Sequence, residues 1–317
     1  MTITGSSAPL VVVVGATGQQ GSSVVAALKS SSQIYRVRAL TRDTSKPAAQ
    51  ALAAVGAELV QANLTVDNEV EVRKAFAGAD IAFIVTNFWE HMDMAREIAE
   101  AKMMIDAAEL GGAKRIIWSG LQSMAEASKG KYTKVVHFEG KAQVTEYGRA
   151  KFAATDVAFV NVDAGFYAQN FLAHPMLFRK DPWTLVMGGP PSLRLPIIDI
   201  RDYGKWVVAA IEDPTYASGG EIIAAAEYVT AEEVVSGLSK ATGKEIKFHQ
   251  STPAETKAHM ESLGMPDLVV DDMLDTNAAF NDPTIGYYGS KELTKIANKP
   301  NTWKEFVAGY NWEGVFA

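Results

Sequence analysis

The sequence predicts an α/β fold: a doubly wound parallel sheet with a smaller, interleaved α+β region in its C-terminal part. Three features carry that reading. Short apolar runs alternate with helix-period segments through the first half of the chain. The first run, Leu10–Val14, is one leucine and four valines, the pattern of a strand buried on both faces. A glycine-rich turn then joins this run to the first helical segment.

The elements follow in order. Leu10–Val14 is a strand and Ser22–Lys29 a helix. Arg36–Leu40 is the second strand, Pro47–Val55 is helical, and Glu58–Gln61 is a short third strand. Val70–Ala77 is helical and Ile81–Val85 is the fourth strand. Asp93–Leu110 is a long amphipathic helix stopped by Gly111-Gly112, and Arg115–Ser119 is the fifth strand. Gln122–Thr133 is polar and reads as a loop, Glu139–Ala150 as helix, Val157–Val162 as the sixth strand. Beyond Gly165 the alternation loosens. Gly188-Gly189-Pro190-Pro191 breaks any element, Leu195–Ile200 is expected to return to the sheet, and Tyr203–Ile211 is helical. Ile222–Ala225 is a further strand candidate. Thr230 with Glu233 forms a capping box that opens a helix to about Ala241. The division expected is a nucleotide-binding domain over 8–165 and a C-terminal region over 166–317, partly interleaved with the sheet.

Composition excludes several chemistries. The 317 residues include no cysteine, which removes disulfides, thiolate metal sites and cysteine nucleophiles. A formal charge of −7 argues against direct nucleic-acid binding. Lys129, Lys131 and Lys134 cluster, and a solvated loop accounts for them. Residues 1–7 have neither the basic start nor the apolar core of a signal peptide, and no apolar run is long enough to span a membrane. The expected location is therefore cytoplasmic, with nuclear shuttling if the protein is a regulator. Five histidines, at 91, 137, 174, 249 and 259, show no ligand spacing, so no metal is expected. No Gly-x-Ser-x-Gly elbow occurs. The acidic run Asp267–Asp275 reads as a solvated lid or helix, and 263–290 as a possible lid segment.

Gly15-Ala16-Thr17-Gly18-Gln19-Gln20-Gly21 has G-x-x-G-x-x-G spacing between a strand and a helix, the context that makes the pattern Rossmann-like. Gly15 permits the tight turn, Gly18 lets backbone approach a diphosphate, and Gly21 lets helix and strand pack closely. With Thr17, Gln19 and Gln20 they form a cofactor cradle, because a helix N-terminus presents free N–H groups to phosphates. The second strand ends at Leu40-Thr41-Arg42, where NAD sites carry a carboxylate; a guanidinium there suits a 2′-phosphate, so the expected cofactor is NADP(H). Arg38 or Lys46 could assist, and Asp43 opposes. Asn87 and Phe88 are placed at the end of the fourth strand, lining the same edge.

With Gly-Ala-Thr-Gly-Gln-Gln-Gly, Leu-Thr-Arg-Asp, Val85-Thr86-Asn87-Phe88-Trp89-Glu90 and His137-Phe138-Glu139-Gly140-Lys141 in hand, the chain resembles the NmrA-like family from about residue 10 to 312. These are atypical relatives of the short-chain dehydrogenases. The resemblance implies NADP(H) binding. It also implies one of two kinds of protein: regulators and redox sensors without dehydrogenase activity, or reductases near the quinone and isoflavone reductases. It further implies Ser119 as a group polarising a substrate carbonyl, and Gly165, Tyr167 and Asn170 as wrapping the nicotinamide end.

An ordinary short-chain dehydrogenase carries Tyr-x-x-x-Lys. Tyr147 and Lys151 match the pattern, but too few residues separate them from the sixth strand for the helix the motif must begin. His137 and Lys141 leave room, so His137 takes the proton-transfer position and Lys141 the ribose-binding one. The leading reading is a redox sensor. The alternatives are an NADPH-dependent reductase of a quinone, enone or carbonyl, and a non-catalytic interaction module. The partners expected are NADP(H), with a small-molecule substrate or a regulatory protein.

Overall fold

The computed structural model describes residues 8–172, 176–288 and 291–316. The N-terminal heptapeptide and His174, both read above, lie outside them. In chain order the elements are β1 (Leu10–Val13), α1 (Gln19–Ser30), β2 (Arg36–Thr41), α2 (Pro47–Ala54), β3 (Glu58–Gln61), α3 (Glu69–Phe76), β4 (Ile81–Ile84), α4 (Met94–Leu110), β5 (Arg115–Trp118), α5 (Met124–Ala127), α6 (Val136–Phe152) and β6 (Ala158–Ala164). There follow β7 (Phe166–Tyr167), β8 (Phe178–Arg179), β9 (Thr184–Met187), β10 (Arg194–Ile198), α7 (Tyr203–Glu212), β11 (Gly220–Ala224), β12 (Glu227–Thr230), α8 (Ala231–Thr242), β13 (Lys247–Gln250), α9 (Pro253–Ser262), α10 (Asp267–Asn281) and α11 (Trp303–Gly309).

The main sheet has seven strands in the order β11-β6-β5-β4-β1-β2-β3, every neighbouring pair parallel. The order reverses at β1, which lies between β2 and β4, and this doubly wound topology opens a crevice at the carboxyl ends of those strands. All of β1 is buried, as its unbroken apolar run requires. One face packs on α1 and α7 through Val24, Leu28, Tyr203 and Trp206. The other packs on α3, α4 and α6 through Phe76, Met104, Ile105, Val144 and Phe152. The two layers approach closely at small residues: a Cβ on Gly204 of α7 would lie 2.2 Å from the Ser23 carbonyl oxygen of α1.

Two expectations about the order of elements need correction. The strand expected over Leu195–Ile200 does not return to the main sheet. As β10 it pairs with β7 and β12 in a separate three-stranded sheet. The edge beside β6 is instead taken by β11, so β10 is carried into a second core with Phe138, Phe171, Val229 and Leu238. A further small sheet joins β13, β9 and β8. The polar stretch 122–133 is not all loop, because Ser123 caps a single helical turn, α5, and Met124 at its start is fully buried. The capping box at Thr230 and Glu233 is present and opens α8.

Candidate cofactor and active site

The glycine turn follows β1 directly. Gly15 has φ +60°, a conformation L side chains rarely adopt, and a Cβ there would also sit 3.3 Å from Val85 Cγ1. The Ala16 amide donates to the Leu40 carbonyl at 3.2 Å, which pins the turn to β2. A Cβ on Gly21 would lie 2.2 Å from the Gly15 carbonyl oxygen, so helix and turn are in backbone contact. No side chain caps α1 and no acidic residue occupies its first turn, while Thr17, Gly18 and Gln19 are exposed. These residues fit a dinucleotide diphosphate: open amides at a positive helix end with no competing carboxylate. Gln20, in contrast, is buried and donates from Nε2 to the Tyr167 hydroxyl at 2.7 Å. Burial pushes that phenol up to about 12. Two residues 147 apart in sequence thus meet beside the turn.

Arg42 stands exposed after β2 and is ion-paired to Glu90. Asp43 does not compete for it, because its carboxylate accepts from the Ser45 hydroxyl and amide at 2.6 and 2.9 Å, contacts that hold its pKa down. Arg38 is unsuited to assist: it pairs with Glu58 at 3.1 Å and donates to the carbonyls of Ala75 and Ala77. Lys46 remains exposed before α2. Asn87 and Phe88 are not at a strand end, since β4 stops at Ile84. Asn87 is exposed ahead of a 3-10 turn, and Phe88 is buried beneath it, against Trp89 and His137.

α6 begins at the carboxyl edge of the sheet and carries His137 and Lys141 one helical turn apart. Lys141 Nζ contacts Glu97 Oε1 at 2.9 Å, the Thr86 hydroxyl at 2.8 Å and the Thr86 carbonyl at 3.1 Å. It lies 5.4 Å from the centre of the Trp118 ring. Glu97 is wholly buried in α4 and its Oε2 has no hydrogen-bond partner. His137 Nδ1 lies 2.8 Å from Asp272 Oδ2, and its backbone amide donates to the same oxygen at 3.1 Å. Asp272 belongs to α10, is 0% exposed, and also accepts from the Thr276 hydroxyl at 3.2 Å. The accepting carboxylate places the imidazole proton on Nδ1 and leaves Nε2 without a bonded partner among the described residues.

Ser119 is buried one residue beyond β5 and its amide continues the ladder to the Ile84 carbonyl at 2.9 Å. The buried Tyr203 hydroxyl donates to the Val162 carbonyl at 3.0 Å, and burial raises that phenol well above the usual range. Gly165 turns the chain off β6, where a Cβ would meet the Pro196 carbonyl oxygen at 2.4 Å. Asn170 is half-buried in the 3-10 turn after β7. Tyr147 and Lys151 fall elsewhere. Lys151 is about 15 Å further along α6 than Lys141, and both it and the Tyr147 hydroxyl bond Asp106 on the outer part of α4.

The carboxylates Glu90, Glu97 and Asp272 were not legible as site residues. Asp272 sits in an acidic run that is helical as expected, but it is itself buried and not solvated, while the lysine cluster across from the run stays exposed. The two face each other: Lys131 pairs with Asp282, Lys134 with Asp271, each at 2.9 Å, and the Lys134 amide donates to Asp275. Opposite charge on an acidic helix and a basic loop was the available signal.

Among the described residues no helix is long and apolar enough to cross a membrane. The chain is 28% identical to an NmrA-like family domain-containing oxidoreductase of Penicillium ochrochloron, over 95% of this chain and 92% of that protein. It is 26% identical to an NAD(P)H azoreductase of Xenophilus azovorans, over 95% and 98%. Its fold matches NmrA, a negative transcriptional regulator solved in complex with NADP, with a TM-score of 0.75 at 20% identity, covering 96% and 99% of the two chains. It also matches the NADPH-dependent quinone oxidoreductase QOR2 of Escherichia coli, solved with NADPH, with a TM-score of 0.71 at 23% identity over 94% and 98%. The model of the NmrA-like family matches residues 7–307, and the chain belongs to that family.

Proposed function

We propose that this chain binds NADP(H) across the carboxyl edge of the main sheet and reduces an electrophilic small molecule, a quinone, enone or carbonyl, with His137 as proton donor. The observation that carries this reading is the His137–Asp272 pair. A wholly buried carboxylate holds Nδ1–H and fixes the ring, so the unpartnered Nε2 is the nitrogen that takes up a proton from solvent and passes it to the substrate as hydride arrives. That arrangement supplies the acid the missing tyrosine would have supplied. NADPH, when bound, supplies the hydride. Lys141, held by Glu97 and Thr86, is the residue that would stand against the nicotinamide ribose, and Arg42 would hold the 2′-phosphate. The relatives named as oxidoreductases support this reading.

The test is NADPH consumption against a panel of quinones, enones and carbonyls. His137→Phe and Asp272→Asn should each lower kcat by about a hundredfold or more while NADPH still binds. A non-catalytic redox sensor is the second reading, favoured by the ion pair that joins Arg42 to the 88–90 turn beside His137. Saturable binding without consumption by any acceptor would decide for the sensor.

A further inference from the structure

Arg42 does not stand open at the end of β2, because the Glu90 carboxylate holds its guanidinium. Glu90 comes from a different part of the sheet edge, the turn after β4, 48 residues on. Both side chains remain accessible, at 69% and 48% exposure, so an incoming anion can exchange for the carboxylate. The turn that carries Glu90 is small and self-contained: the amides of His91 and Met92 both donate to the Phe88 carbonyl. Its next residue inward is Trp89, whose ring centre lies 5.0 Å from that of His137. At its far end Met92 takes φ +54° and packs against the cluster of Met260, Val269 and Val270, a soft thioether contact that can re-form after a shift.

Resting on the proposed role of Arg42 toward the 2′-phosphate, we infer that Glu90 is a specificity-determining residue: a tethered carboxylate that competes with that phosphate for Arg42. The phosphorylated cofactor then releases the 87–92 turn from β2, and the unphosphorylated one leaves it latched. The electrostatics favour the exchange. A phosphate monoester carries up to twice the charge of a carboxylate and offers more acceptor oxygens to a guanidinium. Once it is seated, Glu90 faces a like charge and is driven off. Because Trp89 precedes Glu90 and packs on His137, the surroundings of the proton donor register which cofactor is bound.

The experiment titrates NADPH and NADH into wild type, Glu90→Gln, Arg42→Ala and the double variant by calorimetry. Hydrogen exchange over 87–92 is read with and without each cofactor. Removing the competitor should tighten NADPH about two- to fivefold, leave NADH unchanged, and lose its effect in high salt and in the Arg42→Ala background. In wild type, NADPH should raise exchange over 87–92 and NADH should not. If Glu90→Gln leaves NADPH affinity unchanged or weaker while Arg42→Ala loses it, the competition is overturned and the cofactor reading stands. If wild type binds neither cofactor, the reading beneath it falls as well.

Discussion

Gly21→Ala separates what the glycine turn does for the fold from what it does for a ligand. The added Cβ would lie 2.2 Å from the Gly15 carbonyl oxygen, 2.6 Å from its carbon and 2.8 Å from Ala16 Cα. Against an ordinary contact of 3.4 Å, the shortfall at the oxygen is 1.2 Å. Every obstructing atom is backbone, so no side chain can swing aside. Overpacking of this kind costs about 1–3 kcal/mol, and with only backbone in the way the upper part of that range, about 2–3 kcal/mol, applies. Replacing glycine within a helix returns up to about 1 kcal/mol, so the clash outweighs the propensity gain and the net loss is about 1–2 kcal/mol, a fall in Tm of a few degrees. Relief of the clash shifts the turn against the helix by roughly an ångström, enough to break hydrogen bonds from the first amides of α1 to a diphosphate. Cofactor affinity should therefore fall at least about tenfold. Gly18→Ala is the control. Gly18 has φ −84°, and its Cβ would be 3.2 Å from the same oxygen. It should leave Tm nearly unchanged yet weaken the cofactor, because the methyl group meets the ligand instead of the fold. Thermal melts and calorimetry with NADPH measure both effects. Gly21→Ala with wild-type Tm and wild-type affinity would refute the reasoning.

Three further outcomes are expected. Lys141→Met strands the buried Glu97 carboxylate and should cost about 3–5 kcal/mol, read by urea titration. The double variant with Glu97→Gln should regain much of the stability but not cofactor affinity, and Lys151→Met, whose partners Asp106 and Glu109 are partly exposed, should cost about 1 kcal/mol or less. Asp163 is pushed up to about 7, by burial first and by the Glu221 charge second. Its folded pKa lies above its unfolded value near 3.8, so the native state holds the extra proton and stability falls as pH rises from about 4 to 7. Asp163→Asn should flatten that slope and stabilise the protein at neutral pH, with a ceiling of roughly 4 kcal/mol; an unchanged slope in pH-dependent melts would count against it. Arg42→Glu should weaken NADP(H) far more than NAD(H), and equal losses in calorimetry would remove the 2′-phosphate role.

What could be read from the chain alone was set by near neighbours. The valine run of β1, the spacing from Gly15 to Gly21, the Asp93 start of α4 and the Thr230–Glu233 capping box each state their structure within a few residues, because strand burial, turn conformation and capping are local requirements. The alternation of such elements was enough to predict a parallel sheet and to put Gly15, Arg42 and Ser119 on one edge. Tertiary structure alone decided which polar side chains meet at that edge. His137 meets Asp272 across 135 residues, Lys141 meets Glu97 across 44, and Gln20 meets Tyr167 across 147. In sequence each carboxylate looked like helix-surface charge, since nothing in local periodicity distinguishes a solvated acid from a buried one. Topology also sent β10 to a second sheet and gave the main-sheet edge to β11. The physical reason is the same throughout: backbone preferences act over one or two turns, whereas burial and charge pairing depend on where the folded chain brings distant segments together.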